Sequence, residues 1–168
     1  MSIFPTKILL ATDGSEEATF AARTAVDVAH KTNSELHVVH VKPPLYYAAG
    51  YGGDVPYAGE EALQIQQEEL DSKAQTLLDT QVEQIQAAGG TVAQAHLRAG
   101  KPDEEIVALG EEIGAGLIIM GSRGFSRLRR ALIGSVSASV VRHAHSPVWV
   151  MRQEKPEEAA GPEEVGLA

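Results

Sequence analysis

The spacing of apolar residues changes period along this chain and divides it into alternating strands and helices. Residues 8–11, Ile-Leu-Leu-Ala, form a short unbroken apolar run, as a strand buried on both faces requires. Over 15–31 the apolar positions Ala18, Ala21, Ala22, Ala25, Val26 and Ala29 recur three and four apart, which predicts a helix. Residues 36–41 are rich in valine and predict a second strand. Residues 60–88 predict a long helix with Leu63, Leu70, Leu77, Leu78, Val82 and Ile85 as its apolar stripe, stopped by Gly89-Gly90. A weaker strand spans 91–97. Pro102 sits near the first turn of the next helix, where a missing N–H costs no hydrogen bond, and Ile106, Val107, Leu109 and Ile113 are its apolar positions. Residues 116–120 predict a fourth strand, 135 to about 142 a helix, and 147–151 an edge strand opened by Pro147.

Five strands alternating with four helices predict an α/β fold: a doubly wound parallel sheet with helices on both faces, over residues 1–151. From Arg152 to the end the chain is acidic and rich in Pro and Gly, and a disordered tail is expected. Sheets of this kind bind ligands beyond the carboxyl ends of their strands, where the winding reverses. The segments after strands one, two and four are therefore where chemistry is expected.

The glycines after strand four sharpen that expectation. Gly121-Ser122-Arg123-Gly124 is followed, after nine residues, by Gly134-Ser135 at a helix start. Such glycines permit φ > 0 and close approach of a ligand to the main chain, and a helix start offers unpaired N–H groups to phosphate oxygens. Arg123, Arg127, Arg129 and Arg130 stand out in a chain of net charge −9, and arginine suits phosphate. The plainer alternative is a solvated connecting loop that uses glycine for turns. After strand one, Asp13 either accepts hydrogen bonds from a ribose or base, or caps the helix in a capping box with Glu16. The two roles are compatible if Ser15 takes the cap. Glu16 and Glu17 repel phosphate at that helix start, so the phosphates are expected at the later loop. Between Lys42 and Gly59 a long irregular segment holds Tyr46, Tyr47, Tyr51 and Tyr57, expected to cover a nucleotide or pack on a second subunit.

Composition removes other functions. The 168-residue chain carries a net charge of −9, which disfavours nucleic acid as a partner. It has no cysteine, so disulfides and thiolate catalysis are excluded. No secretory stretch or membrane span is evident, and a cytoplasmic location is expected. The six histidines show no metal-ligand spacing; His37 and His40, three apart in a strand, point to opposite faces, and no metal site built by the chain is predicted. There is no G-x-x-x-x-G-K-[ST], no G-x-G-x-x-G after strand one and no G-x-S-x-G.

Ala11-Thr12-Asp13-Gly14-Ser15, the second strand Leu36-His37-Val38-Val39-His40-Val41, the G-x-x-G-x9-G-S pattern over 121–135 and the final Ser146-Pro147-Val148-Trp149-Val150 together resemble the nucleotide-binding branch of the universal stress protein family. The similarity covers about residues 5–151. It implies strand order 3-2-1-4-5 and a binding site made of Ala11, Thr12, Asp13, Gly14, Ser15, Val41, Met120, Gly121, Ser122, Arg123, Gly124, Gly134, Ser135, Val136 and Ser137. In that likeness Asp13 and the Val41 backbone face adenine and ribose. Met120, Gly121, Arg123 and Gly124 line the ribose and phosphate path, and residues 134–137 take the phosphates of ATP with Mg²⁺. It also implies a homodimer paired through the last strands. The function expected is that of an ATP-binding stress or signalling protein with little or slow turnover, since no general base or arginine finger is placed. Two alternatives stand beside it: a slow ATPase or self-phosphorylating enzyme using Ser122, Ser126, Ser135 or Ser137, and a nucleotide-free interaction protein.

Overall fold

A short, unbroken apolar run lies at the centre of the molecule. In the computed structural model, which describes residues 4–44, 59–124 and 133–153, β1 (Lys7–Ala11) lies in the middle of a five-stranded sheet. The elements follow as α1 (Glu16–Thr32), β2 (Glu35–Lys42), α2 (Glu60–Ala87), β3 (Val92–Ala99), α3 (Pro102–Ile113), β4 (Ala115–Gly121), α4 (Ser135–His143) and β5 (Val148–Met151). All pairings are parallel and the strand order is β3-β2-β1-β4-β5. Four of the predicted features lie outside the described residues: the four tyrosines, Ser126, the arginines at 127, 129 and 130, and the acidic tail from residue 154.

Ile8, Leu9 and Leu10 are fully buried, because the sheet is covered on both sides. Ile8 and Leu10 join the α1–α2 core with Leu36, Val38, Leu117 and Ile119; Leu9 joins Val39, Val41, Ile118, Ile106 and Leu109 on the α3–α4 side. Each such side chain contributes about 1.5–3 kcal/mol on burial. The alanine face of α1 is buried as the spacing predicts, and small residues let this helix lie close to β4. The stripe of α2 is a partial correction: only Ala74, Leu78, Gln81 and Ile85 are buried, whereas Leu63 is 42% exposed. The helix is longer than the sheet it covers, so its first turns run past the core.

The edge strand β3 brings together two histidines far apart in sequence. His37 shares the α3-facing side of β2 with Val39, and Val39 registers with His96. One ring donates to the other, with His37 Nδ1 and His96 Nε2 3.1 Å apart and the rings near-parallel at 17°. Glu35 lies 3.4 Å beyond His37 Nε2. Burial first, then the neighbouring charge of His37 and Arg98, pushes the His96 pKa below the ordinary 6.5, with Glu112 opposing. The unfolded chain takes up this proton near 6.5 and the folded chain only lower. The stability held by neutral His96 is therefore complete above that value and is lost as pH falls. We expect urea titrations to show unfolding free energy declining as pH falls through and below about 6.5, and His96→Gln to flatten the decline.

Candidate functional site

Because β1 lies between β2 and β4, the segments leaving their carboxyl ends meet at one point. Thr12 is the first residue there, 6% exposed and tied in four ways. Its N–H donates to the Val39 carbonyl (2.9 Å) and its carbonyl accepts from His40 Nδ1 (2.9 Å). Its hydroxyl donates to Gln81 Oε1 (3.0 Å) and accepts the Gly14 N–H (3.2 Å). Ser15 takes the α1 cap, its hydroxyl accepting from the Ala18 N–H at 3.2 Å. Asp13 Oδ1 accepts the Ser15 N–H (2.9 Å), so the Asp13 carboxylate serves the turn without being the cap.

Ser122 organises the other wall. Its N–H donates to the Met151 carbonyl (2.7 Å), its hydroxyl to Glu17 Oε2 (2.6 Å), and its carbonyl accepts from the Gly134 N–H (2.6 Å) and the Ser137 hydroxyl (2.7 Å). Glu17 Oε2 also accepts the Arg123 N–H at 2.6 Å, and its other oxygen lies 3.6 Å from Arg123 Nε, a buried nitrogen with no hydrogen-bond partner among the described residues. The sequence reading placed Glu17 here only as a repulsive charge; its hydrogen bonds span more than a hundred residues, and no local pattern reveals them.

Between these walls lies a cleft of about 620 Å³. It is lined by every residue predicted for the site except Gly14 and Ser15. Gly14, at φ +78°, turns the chain against Leu77 of α2, and Ser15 is spent on its cap. The sequence reading missed the apolar lining formed by Val39, Pro43, Pro102 and Ile106, and also Ile133, Ala18 and His40. Val39 and Ile106 read as ordinary core. The usable signal was their position, at the carboxyl end of β2 and the start of the helix after β3.

The cleft is polar at its opposite end. The N–H groups of Ser135, Val136 and Ser137 make no hydrogen bond among the described residues, and Gly134 caps α4 without a side chain. The first turn of α4 holds no acid, whereas α1 begins with Glu16-Glu17 and α3 with Asp103, Glu104 and Glu105. The Ser139 hydroxyl is the main cause holding the Asp103 carboxyl below its usual range. The α4 amides, without partners among the described residues, and the positive dipole end of that helix suit an anionic group. Among the described residues, Asp13 is the one carboxylate that lines the cleft, and no cluster of three metal-ligating side chains occurs. A Mg²⁺ ion there would rest chiefly on a bound phosphate, as such ions commonly do.

The glycines require a correction. Gly121, Gly124 and Gly134 do not adopt φ > 0; Gly134 has φ −72°. What excludes a side chain at these positions is space. A Cβ on Gly124 would collide with Asp13 Oδ2; on Gly121 it would lie 3.0 Å from the Glu17 backbone; on Gly134, 3.0 Å from the Ser122 carbonyl.

The sequence profile of the universal stress protein family matches residues 5–152. The chain belongs to the universal stress protein family. A putative universal stress protein of Staphylococcus haemolyticus is 34% identical over 157 residues, covering 93% of this chain and 90% of that protein. The universal stress protein UspA of Lactobacillus plantarum superposes with a TM-score of 0.72 at 25% identity, over 89% of this chain and 99% of the other. Two further universal stress protein structures share the fold: one in complex with cAMP (TM-score 0.61, 23% identity, 89% and 98% covered), and one from Archaeoglobus fulgidus in complex with dAMP (0.59, 24%, 90% and 100%). No helix among the described residues of this family member is long and apolar enough to cross a membrane.

The three glycines differ in what a methyl group would displace, which orders their variants. Gly124→Ala pushes only a carboxylate end, so we expect near-normal thermal stability with a displaced Asp13 and weakened ligand binding. Gly121→Ala presses on the α1 backbone and should destabilise by about 1–3 kcal/mol in denaturant titrations.

Proposed function

We propose that this universal stress protein binds ATP, with Mg²⁺ carried on the phosphates, and acts as a nucleotide-dependent stress or signalling factor with little turnover. The observation that carries the reading is the start of α4: three N–H groups without a partner among the described residues, beside a cleft that is otherwise largely apolar. Solved proteins of the same fold hold cAMP and dAMP, which supports an adenine nucleotide as the occupant. In this reading the base lies among Val41, Pro43, Pro102 and Ile106, with the main chain at Val41 pairing its edge. Asp13 accepts from the ribose hydroxyls. The amides of residues 135–137 take phosphate oxygens, and Arg123 supplies a planar donor. Mg²⁺, when bound, neutralises phosphate charge.

The enzymatic alternative is weaker at two of its candidate acceptors. Ser122 and Ser137 are each 2% exposed with their hydroxyls already donating, whereas Ser135 is exposed. Homodimer formation through β5 fits this reading, because β5 is an edge of the sheet and its Trp149 is 43% exposed.

Mass spectrometry of the small molecule released on denaturing the purified protein is expected to give an adenine nucleotide, and ATP with Mg²⁺ to raise the thermal midpoint of ligand-free protein. Absence of both release and stabilisation would sink the reading. Rapid product formation from labelled ATP would instead favour an enzyme.

A further inference from the structure

We propose that Glu17 is a positioning residue of the nucleotide site, acting through the glycine loop without touching the ligand; this rests on the nucleotide-binding reading above. Glu17 lies in the first turn of α1, and its side chain is 17% exposed. Its Oε2 receives both the Ser122 hydroxyl and the Arg123 N–H at 2.6 Å, short contacts of the kind made to an ionised carboxylate. Its Oε1 lies 3.6 Å from Arg123 Nε. Gly121 makes this reach possible, since any Cβ there would sit 3.0 Å from the Glu17 Cβ.

The consequence passes along the chain of bonds. The Ser122 carbonyl holds the Gly134 N–H and the Ser137 hydroxyl, and these fix the start of α4 and the amides of its first turn. Glu17 is absent from the cleft lining, and its charge faces two donors and a guanidinium. Repulsion of a bound phosphate is therefore the smaller effect, and placement of the loop the larger. The apolar end at Val39, Val41 and Ile106 has no bond to Glu17. Loss of the carboxylate thus acts on the phosphate end and spares the base end.

Calorimetric titration of the full chain with adenosine, AMP, ADP and ATP tests this. Glu17→Ala is expected to lose roughly tenfold or more in ATP affinity, while adenosine changes by less than about twofold. The loss grows with the number of phosphates. Glu17→Gln keeps one carbonyl acceptor for the Arg123 N–H and is expected to fall between, which also serves if the alanine variant does not fold. Equal losses for all four ligands mean a structural role only and overturn the proposal, as does unchanged ATP affinity. If the wild-type protein binds none of the four, the nucleotide reading fails by itself. Hydrogen exchange in the ligand-free protein then decides the positioning role: faster exchange at the Arg123 amide in Glu17→Ala supports it, and unchanged exchange overturns it.

Discussion

The site depends on a single residue, Ser122, whose polar groups are all engaged. Its N–H joins β5, its hydroxyl joins α1, and its carbonyl joins the start of α4 twice. Buried at 2% exposure, none of these groups has water to fall back on, so each bond matters at the level of an unsatisfied buried polar atom. The loop is thereby set at one distance from Asp13, and the width of the cleft follows. Thr12 plays the matching part on the opposite wall, where β1, β2 and α2 converge on its backbone and hydroxyl.

Much of this was legible in the order of residues. The apolar run of β1, the alanine face of α1 and the glycine spacing after β4 are local patterns, and each predicted its element and its place relative to the strand ends. Strand order came through the family resemblance, not from periodicity, because a parallel sheet leaves no trace in the chain of which strand neighbours which. The capping question at Asp13 was open in the sequence because Asp13 and Ser15 are both good caps. Geometry decided it: Ser15 reaches the Ala18 N–H, and Asp13 reaches only as far as the Ser15 N–H.

What the sequence hid is long-range. The Glu17 contacts with Ser122 and Arg123, the Thr12 contact with Gln81 and the His37 contact with His96 all join residues that no helical or strand period relates. At Gly121, Gly124 and Gly134 the expected φ > 0 is absent. Their φ values are ordinary, and it is the neighbouring Asp13 carboxylate, the α1 backbone and the Ser122 carbonyl that leave no room for a methyl group. The apolar stripe of α2 misled in its first half because periodicity reports which residues share a face and not how far the opposing surface extends.

The two margins of the sheet are unlike. Along β3 the side chains include His96 and Arg98, the latter paired with Glu112 and Glu105, and charge of this kind discourages another strand from docking. The β5 margin is four residues long and carries Val148, Trp149 and Val150. Of the two edges, the uncharged β5 is thus the one that opposes an added strand less, and the sheet offers a neighbour two unequal sides.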